Sequence, residues 1–215
     1  MIRAVIFDMD GTLLDTEPLA ERAWRRGMER HGFELTDQLA LRLLGRNHTD
    51  TIALMRETYG EHFPDHLVTL AVREEYDREI AEKGVEIKPG VVSLLDFLRE
   101  KNIPTGVATS SRNLRATGML TRTNLLHYFA AIVGGDEVKV GKPAPDIFLE
   151  SASRLSIHPV ECLAIEDSEA GVRAAIAAGM TTVMIPDRVR PTAEIRLLVN
   201  HVFNSLNELP RGLFI

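Results

Sequence analysis

Two carboxylates separated by one residue follow the first apolar run of the chain. The run over residues 4–7 leads directly into Asp8, Asp10 and Gly11. Acids so close together repel each other, so they need a cation or a shared proton to coexist. In open α/β sheets, ligands bind at the carboxyl ends of the strands. The spacing therefore predicts a functional site at the end of the first strand.

Two other interpretations of this stretch need weighing. An Asp-Gly pair after a strand is a common turn sequence, so the acids are alternatively solvated turn residues. A calcium-binding EF-hand loop also begins Asp-x-Asp, but its invariant glycine is the sixth loop residue, whereas Gly11 is the fourth counted from Asp8. The sequence thus disfavours an EF-hand, and the rest of the chain has to decide between a site and a turn.

Composition restricts the class of protein. The chain has 215 residues, of which 45% are hydrophobic and 26% charged, as expected of a globular protein with one large domain or a core with an insert. Its formal net charge of -6 disfavours broad nucleic-acid binding. No apolar run approaches the roughly 20 residues of a membrane span, and the first strand begins too early for a signal peptide. With Cys162 as the one cysteine, we expect no disulfide and a cytoplasmic protein.

Short apolar runs alternate with amphipathic helical segments over most of the chain. This alternation predicts a parallel sheet with helices on both faces and right-handed connections. Turn residues close to each apolar run support the strand assignments. The predicted strands are 3–7, 104–108, 131–133, 162–165, 181–185 and 201–203, and the predicted helices are 91–101, 112–125, 145–155 and 169–178.

Residues 16–87 interrupt this alternation with a purely helical pattern. We predict helices at 19–31, 36–44, 50–59 and 65–82. The chain therefore divides into an α/β core domain of residues 1–15 and 88–215 and an inserted helical domain. An insert that leaves directly after the Asp-x-Asp loop is expected to lie over the carboxyl ends of the strands as a lid. A packed appendage without motion is the alternative.

Four arginines occur at helical spacing early in the insert. They form the main basic feature of an otherwise acidic chain. We predict that they line a solvated helix face, with the attraction of an anionic substrate as a second possibility. The four residues are Arg22, Arg25, Arg26 and Arg30.

A row of hydroxyls follows the strand at 104–108. Thr109, Ser110 and Ser111 come directly after that strand, and Asn113 lies at the start of the next helix. Free backbone N–H groups at a helix start favour an anion. A simple helix cap by Ser110 or Ser111 is the alternative interpretation.

A lysine and two further acids stand at the following strand ends. Lys142 lies between Gly141 and a proline, where a stiff loop can hold it as a fixed positive charge. Taken alone, however, it is more simply interpreted as a solvated surface lysine. Glu166 and Asp167 follow the fully apolar run of the next strand. They are candidates either to cap the helix that begins near residue 169 or to complete an oxygen-rich metal site with the first acids.

Taken together, these strand-end residues resemble the motifs of the haloacid dehalogenase superfamily of phosphohydrolases. The resemblance is to the subgroup with a helical cap inserted after the first motif, which includes β-phosphoglucomutase and many sugar-phosphate phosphatases. It implies a Rossmann-like, doubly wound parallel sheet core with an inserted α-helical cap domain. The motifs are Asp8-Met9-Asp10-Gly11-Thr12, Thr109, Gly141-Lys142-Pro143 and Glu166-Asp167-Ser168.

The resemblance also implies a role for each motif residue. Asp8 would be the nucleophile and form an aspartyl-phosphate, and Asp10 would be the general acid and then the general base. Thr109 and Lys142 would hold the phosphoryl oxygens. The implied cofactor is Mg²⁺, bound by the Asp8 carboxylate, the Asp10 carbonyl and Asp167, with Glu166 helping directly or through water.

The expected function is a Mg²⁺-dependent phosphatase that acts, as a monomer, on a small phosphomonoester such as a sugar phosphate. A phosphosugar mutase is the alternative, although Ala20 stands where β-phosphoglucomutase carries a histidine. A non-catalytic, ligand-binding regulator is a third reading, which the intact acids and lysine disfavour. The predicted substrate-binding residues are Gly11, Ser110, Ser111, Asn113, Arg46 and His48.

Overall fold

The chain forms two compact units. The structure is a computed structural model that describes residues 1–43 and 48–214, with residue 48 described by its backbone alone. The core unit comprises Met1–Asp15 and Glu86–Ile215, and the helical unit comprises Thr16–Val85. No helix within the described residues is long and apolar enough to cross a membrane.

A parallel six-stranded sheet forms the centre of the core unit. Its strands are β1 (Ala4–Phe7), β4 (Thr105–Thr109), β5 (Phe129–Gly134), β6 (Cys162–Glu166), β7 (Thr181–Met184) and β8 (His201–Val202), in the order β5-β4-β1-β6-β7-β8. All neighbouring strands of this sheet pair in parallel. The α/β fold class predicted from the sequence is confirmed.

The strand β1 lies at the point where the strand order reverses. The chain adds β4 and β5 on one side of it and β6 to β8 on the other. All four residues of β1 are fully buried, as expected for a central strand covered on both faces. In open α/β sheets the crevice at such a reversal is where ligands bind. The residues just after β1 therefore emerge at the most favourable edge of the sheet.

The helices of the core unit connect the strands. The helix α7 (Asp146–Arg154) packs on β1, β4 and β5, and α8 (Glu169–Ala177) packs on β6 and β7. Besides the α-helices, short 3-10 segments lie at 126–128, 135–137, 159–161, 206–208 and 211–214. The α-helices are α5 (Val91–Glu100), α6 (Asn113–Arg122), α7 (Asp146–Arg154), α8 (Glu169–Ala177) and α9 (Ala193–Leu198).

A short antiparallel ribbon lies where the chain leaves and re-enters the core unit. Its strands, β2 (Leu14–Asp15) and β3 (Glu86–Ile87), pair Asp15 with Glu86. The backbone N–H of Lys88 donates to the Leu13 carbonyl at 2.9 Å and extends the pairing. The core unit thus resumes at residue 86, two residues before the predicted boundary, because β3 is held by β2.

The helical unit contains four helices among its described residues. They are α1 (Glu17–Glu29), α2 (Asp37–Leu43), α3 (His48–Tyr59) and α4 (Asp65–Lys83). The helices α1 and α4 pack closely together. A Cβ atom on Gly27 of α1 would lie 2.7 Å from the backbone nitrogen of Val72 in α4, so glycine is needed for this approach.

The arginines of α1 are not a freely solvated face. Arg22 and Arg26 donate to the two carboxylate oxygens of Glu79 at 2.7 and 2.6 Å, and Glu79 is fully buried. Arg30 donates to Glu74 at 2.8 Å, while Arg25 pairs with Glu21 and Asp37. The prediction of a solvated basic face is therefore only partly right: the four arginine side chains are 36–48% exposed, but acids of α4 pair with three of them, and no local sequence pattern indicates those acids.

Candidate active site

The acids of the first strand end lie in a tight loop, where Asp8 is buried and Asp10 is half-buried. The Asp8 N–H donates to the Ile165 carbonyl at 2.9 Å, which continues the β1–β6 pairing to the site. Gly11 has a φ of +86°, and its N–H donates to the Leu14 carbonyl at 2.8 Å. The loop is therefore a turn, as the alternative interpretation held. However, Asp8 is only 6% exposed, so the turn holds a buried acid and not a solvated one.

Gly11 fits this loop for a second reason. A Cβ atom at this position would lie 2.3 Å from Asp167 Oδ2, at the end of the neighbouring strand β6. Only glycine leaves room for that carboxylate and also adopts the positive φ without strain. Gly11 thus brings the two acidic strand ends together.

Lys142 is fixed between two acids. Its Nζ donates to Asp8 Oδ1 at 2.5 Å, to the Ala108 carbonyl at 3.0 Å and to Glu166 Oε1. The ammonium group therefore uses all three of its N–H bonds, and its side chain is 5% exposed. A stiff, buried position of this kind holds one positive charge beside Asp8.

Glu166 is fully buried at the end of β6 and is oriented by the start of α8. Its Oε2 accepts from the backbone N–H groups of Asp167 and Ser168, each at 3.1 Å, and from Ser168 Oγ at 3.0 Å. Ser168 Oγ in turn caps α8 by accepting from the Gly171 N–H at 3.1 Å. Of the two roles predicted for Glu166 and Asp167, the helix cap is made by Ser168 instead, whereas the two acids belong to the acidic cluster.

Burial and mutual repulsion shape the electrostatics of these acids. Burial raises the pKa of Asp8 well above its usual range, with Glu166 and Asp10 adding to the effect and Lys142 opposing it. Burial also raises the pKa of Asp167, reinforced by the charges of Asp8 and Glu166. Burial by itself would lower the pKa of Lys142, but its two acidic neighbours reverse this and raise it. One lysine therefore leaves the cluster with unbalanced negative charge.

The arrangement fits a divalent metal ion with oxygen ligands. Asp8, Glu166 and Asp167 each offer a carboxylate oxygen, and these oxygens all lie within 4.8 Å of one another. Asp8 Oδ2 is buried and has no hydrogen-bond partner within the described part of the chain. Hard carboxylate oxygens are the donors that Mg²⁺ prefers, and a bound cation would satisfy this oxygen and balance the charge. The Asp10 side chain is not one of the three.

The Asp10 carboxylate is held by hydroxyls from the end of β4. Ser111 Oγ donates to Asp10 Oδ2 at 2.9 Å, and Thr109 Oγ1 donates to the same oxygen at 3.4 Å. The Ser111 N–H donates to Thr109 Oγ1 at 3.1 Å, which orders the pair. The hydroxyl row predicted from the sequence therefore meets the second acid of the first strand end.

Several other predicted residues are not brought into this cluster. Both amide hydrogens of Asn113 are used, by the Ile132 carbonyl at 3.0 Å and by Glu137 Oε2 at 2.6 Å, so its side chain has a structural part instead of the predicted substrate contact. Ser110 is exposed. Arg46 and the side chain of His48 lie outside the described residues.

A further ion pair at the same sheet edge was missed by the sequence analysis. Lys88 Nζ donates to Asp187 Oδ1 at 2.5 Å, and Asp187 follows the end of β7. The position of Asp187 just beyond a predicted strand could have identified it as a candidate site residue. Lys88 had no such signal, because it comes from the segment where the chain returns to the core unit.

Comparison with known proteins agrees with this geometry. A phosphorylated carbohydrates phosphatase of Thermotoga maritima is 39% identical over 181 residues, which span 83% of this chain and 82% of the relative. A beta-phosphoglucomutase of Bacillus subtilis is 34% identical over 188 residues, spanning 85% of this chain and 82% of the relative. The crystal structure of CbbY from Rhodobacter sphaeroides in complex with phosphate matches with a TM-score of 0.84 and 27% identity, over 100% of both chains.

The family model for haloacid dehalogenase-like hydrolases matches residues 5–185. This range includes the four strand ends that carry the acids, the hydroxyls and the lysine. The resemblance inferred from the motifs is therefore confirmed, and the chain belongs to the haloacid dehalogenase-like hydrolase family.

Proposed function

We propose that the protein is a Mg²⁺-dependent phosphatase that hydrolyses a small phosphorylated metabolite, such as a sugar phosphate, through an aspartyl-phosphate on Asp8. The observation that carries this proposal is the state of Asp8 itself. One of its oxygens is bound by Lys142 at 2.5 Å, and the other is buried without a partner among the described residues. The phosphatase relative at 39% identity supports the reaction class.

In the first step, an Asp8 oxygen attacks the phosphorus atom and the bond to the leaving oxygen breaks. Lys142 keeps Asp8 in its place and offsets part of the repulsion between two anions. Because Lys142 is locked by Glu166 and the Ala108 carbonyl, its charge needs no reorganisation during the reaction.

Asp10 is proposed to carry the proton in both steps. It donates a proton to the leaving oxygen, and then takes one from the water that attacks the aspartyl-phosphate, so that phosphate is released and Asp8 is restored. The hydroxyls of Thr109 and Ser111 point Asp10 Oδ2 in a fixed direction. We propose that Thr109 and Lys142, with Gly11 and Ser111 nearby, also contact the phosphoryl oxygens.

Mg²⁺, when bound, supplies positive charge that neutralises the transferring phosphoryl group and the attacking carboxylate. Asp8 and Asp167 would hold it, with the Asp10 carbonyl as a third ligand. Glu166 would orient Lys142 and add negative charge to the cation site, since one of its oxygens is engaged by Lys142 and the other by three donors at the start of α8.

The residues that choose the substrate are proposed to lie in the helical insert of residues 16–87, acting as a cap. The similar proteins are named for different activities, a phosphorylated carbohydrates phosphatase and a beta-phosphoglucomutase, as expected if a variable insert selects the substrate. Arg46 and His48 stay candidates for contacts with the sugar.

The test is release of inorganic phosphate from a panel of phosphorylated sugars and nucleotides, with Mg²⁺ and with EDTA. We expect release that requires the metal and ranks the substrates. The Asp8→Asn variant should be inactive while keeping the circular dichroism spectrum of the wild type. Turnover by this variant near the wild-type rate would rule out Asp8 as the nucleophile.

A phosphosugar mutase is the second candidate, favoured by the 34% identical beta-phosphoglucomutase. Against it, Ala20 in α1 has no group that can transfer a proton, where the resemblance implies a histidine in the mutase. Including β-glucose 1-phosphate in the panel separates the two. Glucose 6-phosphate formed without free phosphate would identify a mutase.

A further inference from the structure

Asp187 places one more negative charge at the edge of the sheet that carries the proposed active site. It lies three residues beyond β7, and β7 pairs with β6 up to the Glu166–Met184 register position. The Ile185 N–H donates to the Glu166 carbonyl at 2.7 Å, so the two chain segments stay together past the end of the ladder. This pairing brings Asp187 towards Asp167.

The Asp187 carboxylate is mostly buried, and a hydrogen bond is made to only one of its two oxygens within the described residues. Its side chain is 12% exposed, and Oδ1 accepts from Lys88 Nζ at 2.5 Å. Oδ2 is buried with no hydrogen-bond partner among residues 1–43 and 48–214. A buried oxygen without a partner projects its charge further than a solvated one, because no water screens it.

Asp187 does not belong to the three acids whose oxygens cluster within 4.8 Å. Nevertheless, the pairing of β7 with β6, which the Ile185 N–H extends to the Glu166 carbonyl, holds it near one of them. Its charge is accordingly among those that raise the pKa of Asp167, after burial and the larger effects of Asp8 and Glu166. A buried negative charge near a cation site strengthens cation binding through space, without a contact to the ligands.

Lys88 connects this acid to the ribbon at which the chain returns to the core unit. Its backbone N–H donates to the Leu13 carbonyl, and its Nζ also lies 3.8 Å from Asp15 Oδ1. Its side chain is 21% exposed. Lys88 is therefore held by the β2–β3 ribbon and in turn fixes Asp187.

We propose that Asp187, fixed by Lys88, is a positioning residue that strengthens cation binding by Asp8 and Asp167 without itself becoming a ligand. The proposal rests on the proposed function, because it requires the divalent cation site. The two partners are expected to have opposite effects on the affinity for the cation. The carboxylate of Asp187 attracts the cation, whereas the ammonium of Lys88 weakens that attraction while holding the acid in place.

The test is a calorimetric titration of the substrate-free, full-length protein with Mn²⁺, used as a probe for the Mg²⁺ site, at pH 7.5. Asp187→Asn should weaken the Kd about tenfold, near the low end of what loss of an outer partner costs a metal site. Lys88→Met should bind the cation more tightly than the wild type, because the opposing positive charge is removed. Glu161→Gln is the matched control, since it removes the same charge from an ion pair at the opposite end of β6.

The outcomes are separable. Failure of the wild type to bind Mn²⁺ would overturn the proposed function itself. Wild-type binding with an unchanged Kd in Asp187→Asn would overturn this inference alone. Equal weakening of cation binding by Asp187→Asn and Lys88→Met would also overturn the inference. A pair that only supports the fold would weaken binding whichever partner is removed. If Asp187→Asn does not fold, the Kd of Lys88→Met for Mn²⁺ decides. Tighter binding than in the wild type supports the inference, and equal or weaker binding overturns it.

Discussion

Glu166 illustrates how a fully buried acid is tolerated at the level of a single residue. It accepts from a lysine, two backbone N–H groups and a hydroxyl, so neither of its oxygens lacks a donor. Burying a charge is costly unless it is paired and hydrogen-bonded, and here both conditions are met. The position of Glu166 in turn fixes Lys142, and through it the proposed nucleophile.

Gly171→Ala tests this dependence. A Cβ atom at residue 171 would lie 1.8 Å from Glu166 Oε1, so the carboxylate has to move. We expect phosphate release to fall about a hundredfold, since displacement of positioning groups by about 1 Å has effects of this size. Gly118→Ala in α6 is the matched control, because a Cβ atom there meets nothing within 4 Å. Steady-state kinetics of both variants check the prediction, and equal activities would contradict it.

Ser111→Ala tests the orientation of Asp10. The change removes the 2.9 Å hydrogen bond to Asp10 Oδ2 but leaves the acid in place. We expect kcat to fall about tenfold, the worth of one hydrogen bond to a charged group, with a smaller change in KM. Ser110→Ala provides the contrast, since Ser110 is exposed and is predicted to bind substrate. It should change KM more than kcat, and the reverse pattern in the two variants would refute these assignments.

At the level of elements, local patterns predicted what local interactions determine. The strands of the sheet and the helices α5 to α8 lie within three residues of their predicted bounds, because apolar periodicity and turn residues encode them. The ribbon of β2 and β3 was not predicted, since each strand has two residues and their partners are about seventy positions apart. The same limit explains Arg22, Arg26 and Arg30, whose acidic partners on α4 are distant in sequence.

The buried Glu79 makes the α1–α4 pairing sensitive to acid. Hydrogen bonds from Arg22 and Lys83 hold the pKa of Glu79 below its ordinary value of 4.5. A lowered pKa stabilises the folded state above pH 4.5, and this stabilisation is lost as the pH falls through the lower, folded-state pKa. The free energy of unfolding of the helical unit should therefore decrease below about pH 4.5, where the unfolded chain begins to take up the proton first.

Glu79→Gln checks this sign. At pH 7 the variant should be about 2 kcal/mol less stable, because a hydrogen-bonded charge is lost. Its free energy of unfolding should also change less than that of the wild type between about pH 5 and about pH 3, the range in which carboxylates titrate. Urea unfolding followed by the fluorescence of Trp24, the single tryptophan, reports on α1. Glu29→Gln, on the exposed part of α1, is the control. A pH dependence of stability in Glu79→Gln identical to that of the wild type would refute the argument.

At the level of the whole molecule, the described site acids, hydroxyls and lysine all belong to the core unit. That unit is built from two stretches of chain, Met1–Asp15 and Glu86–Ile215, while the helical unit is one continuous insertion. The antiparallel pairing of Asp15 with Glu86 brings the two ends of the insertion side by side. Because the chain leaves and re-enters the core unit at adjacent points, the insertion can be removed without stretching the rest of the chain. The sequence predicted this division from the helical pattern alone, but not the ribbon that closes it.

Replacing residues 16–85 by a short Gly-Ser linker tests whether the core unit binds the cation by itself and whether the helical unit selects the substrate. Because the sheet and the Asp8, Lys142, Glu166 and Asp167 cluster lie entirely in the core unit, the shortened chain should fold and bind Mn²⁺ with a Kd within about threefold of the intact protein. If the helical unit selects the substrate, the shortened protein should also hydrolyse p-nitrophenyl phosphate while no longer distinguishing between sugar phosphates. Circular dichroism, Mn²⁺ titration and the substrate panel measure these three properties separately. An unchanged substrate ranking would locate specificity in the core unit, where Ser110 and the loop after β7 would then be the residues to examine.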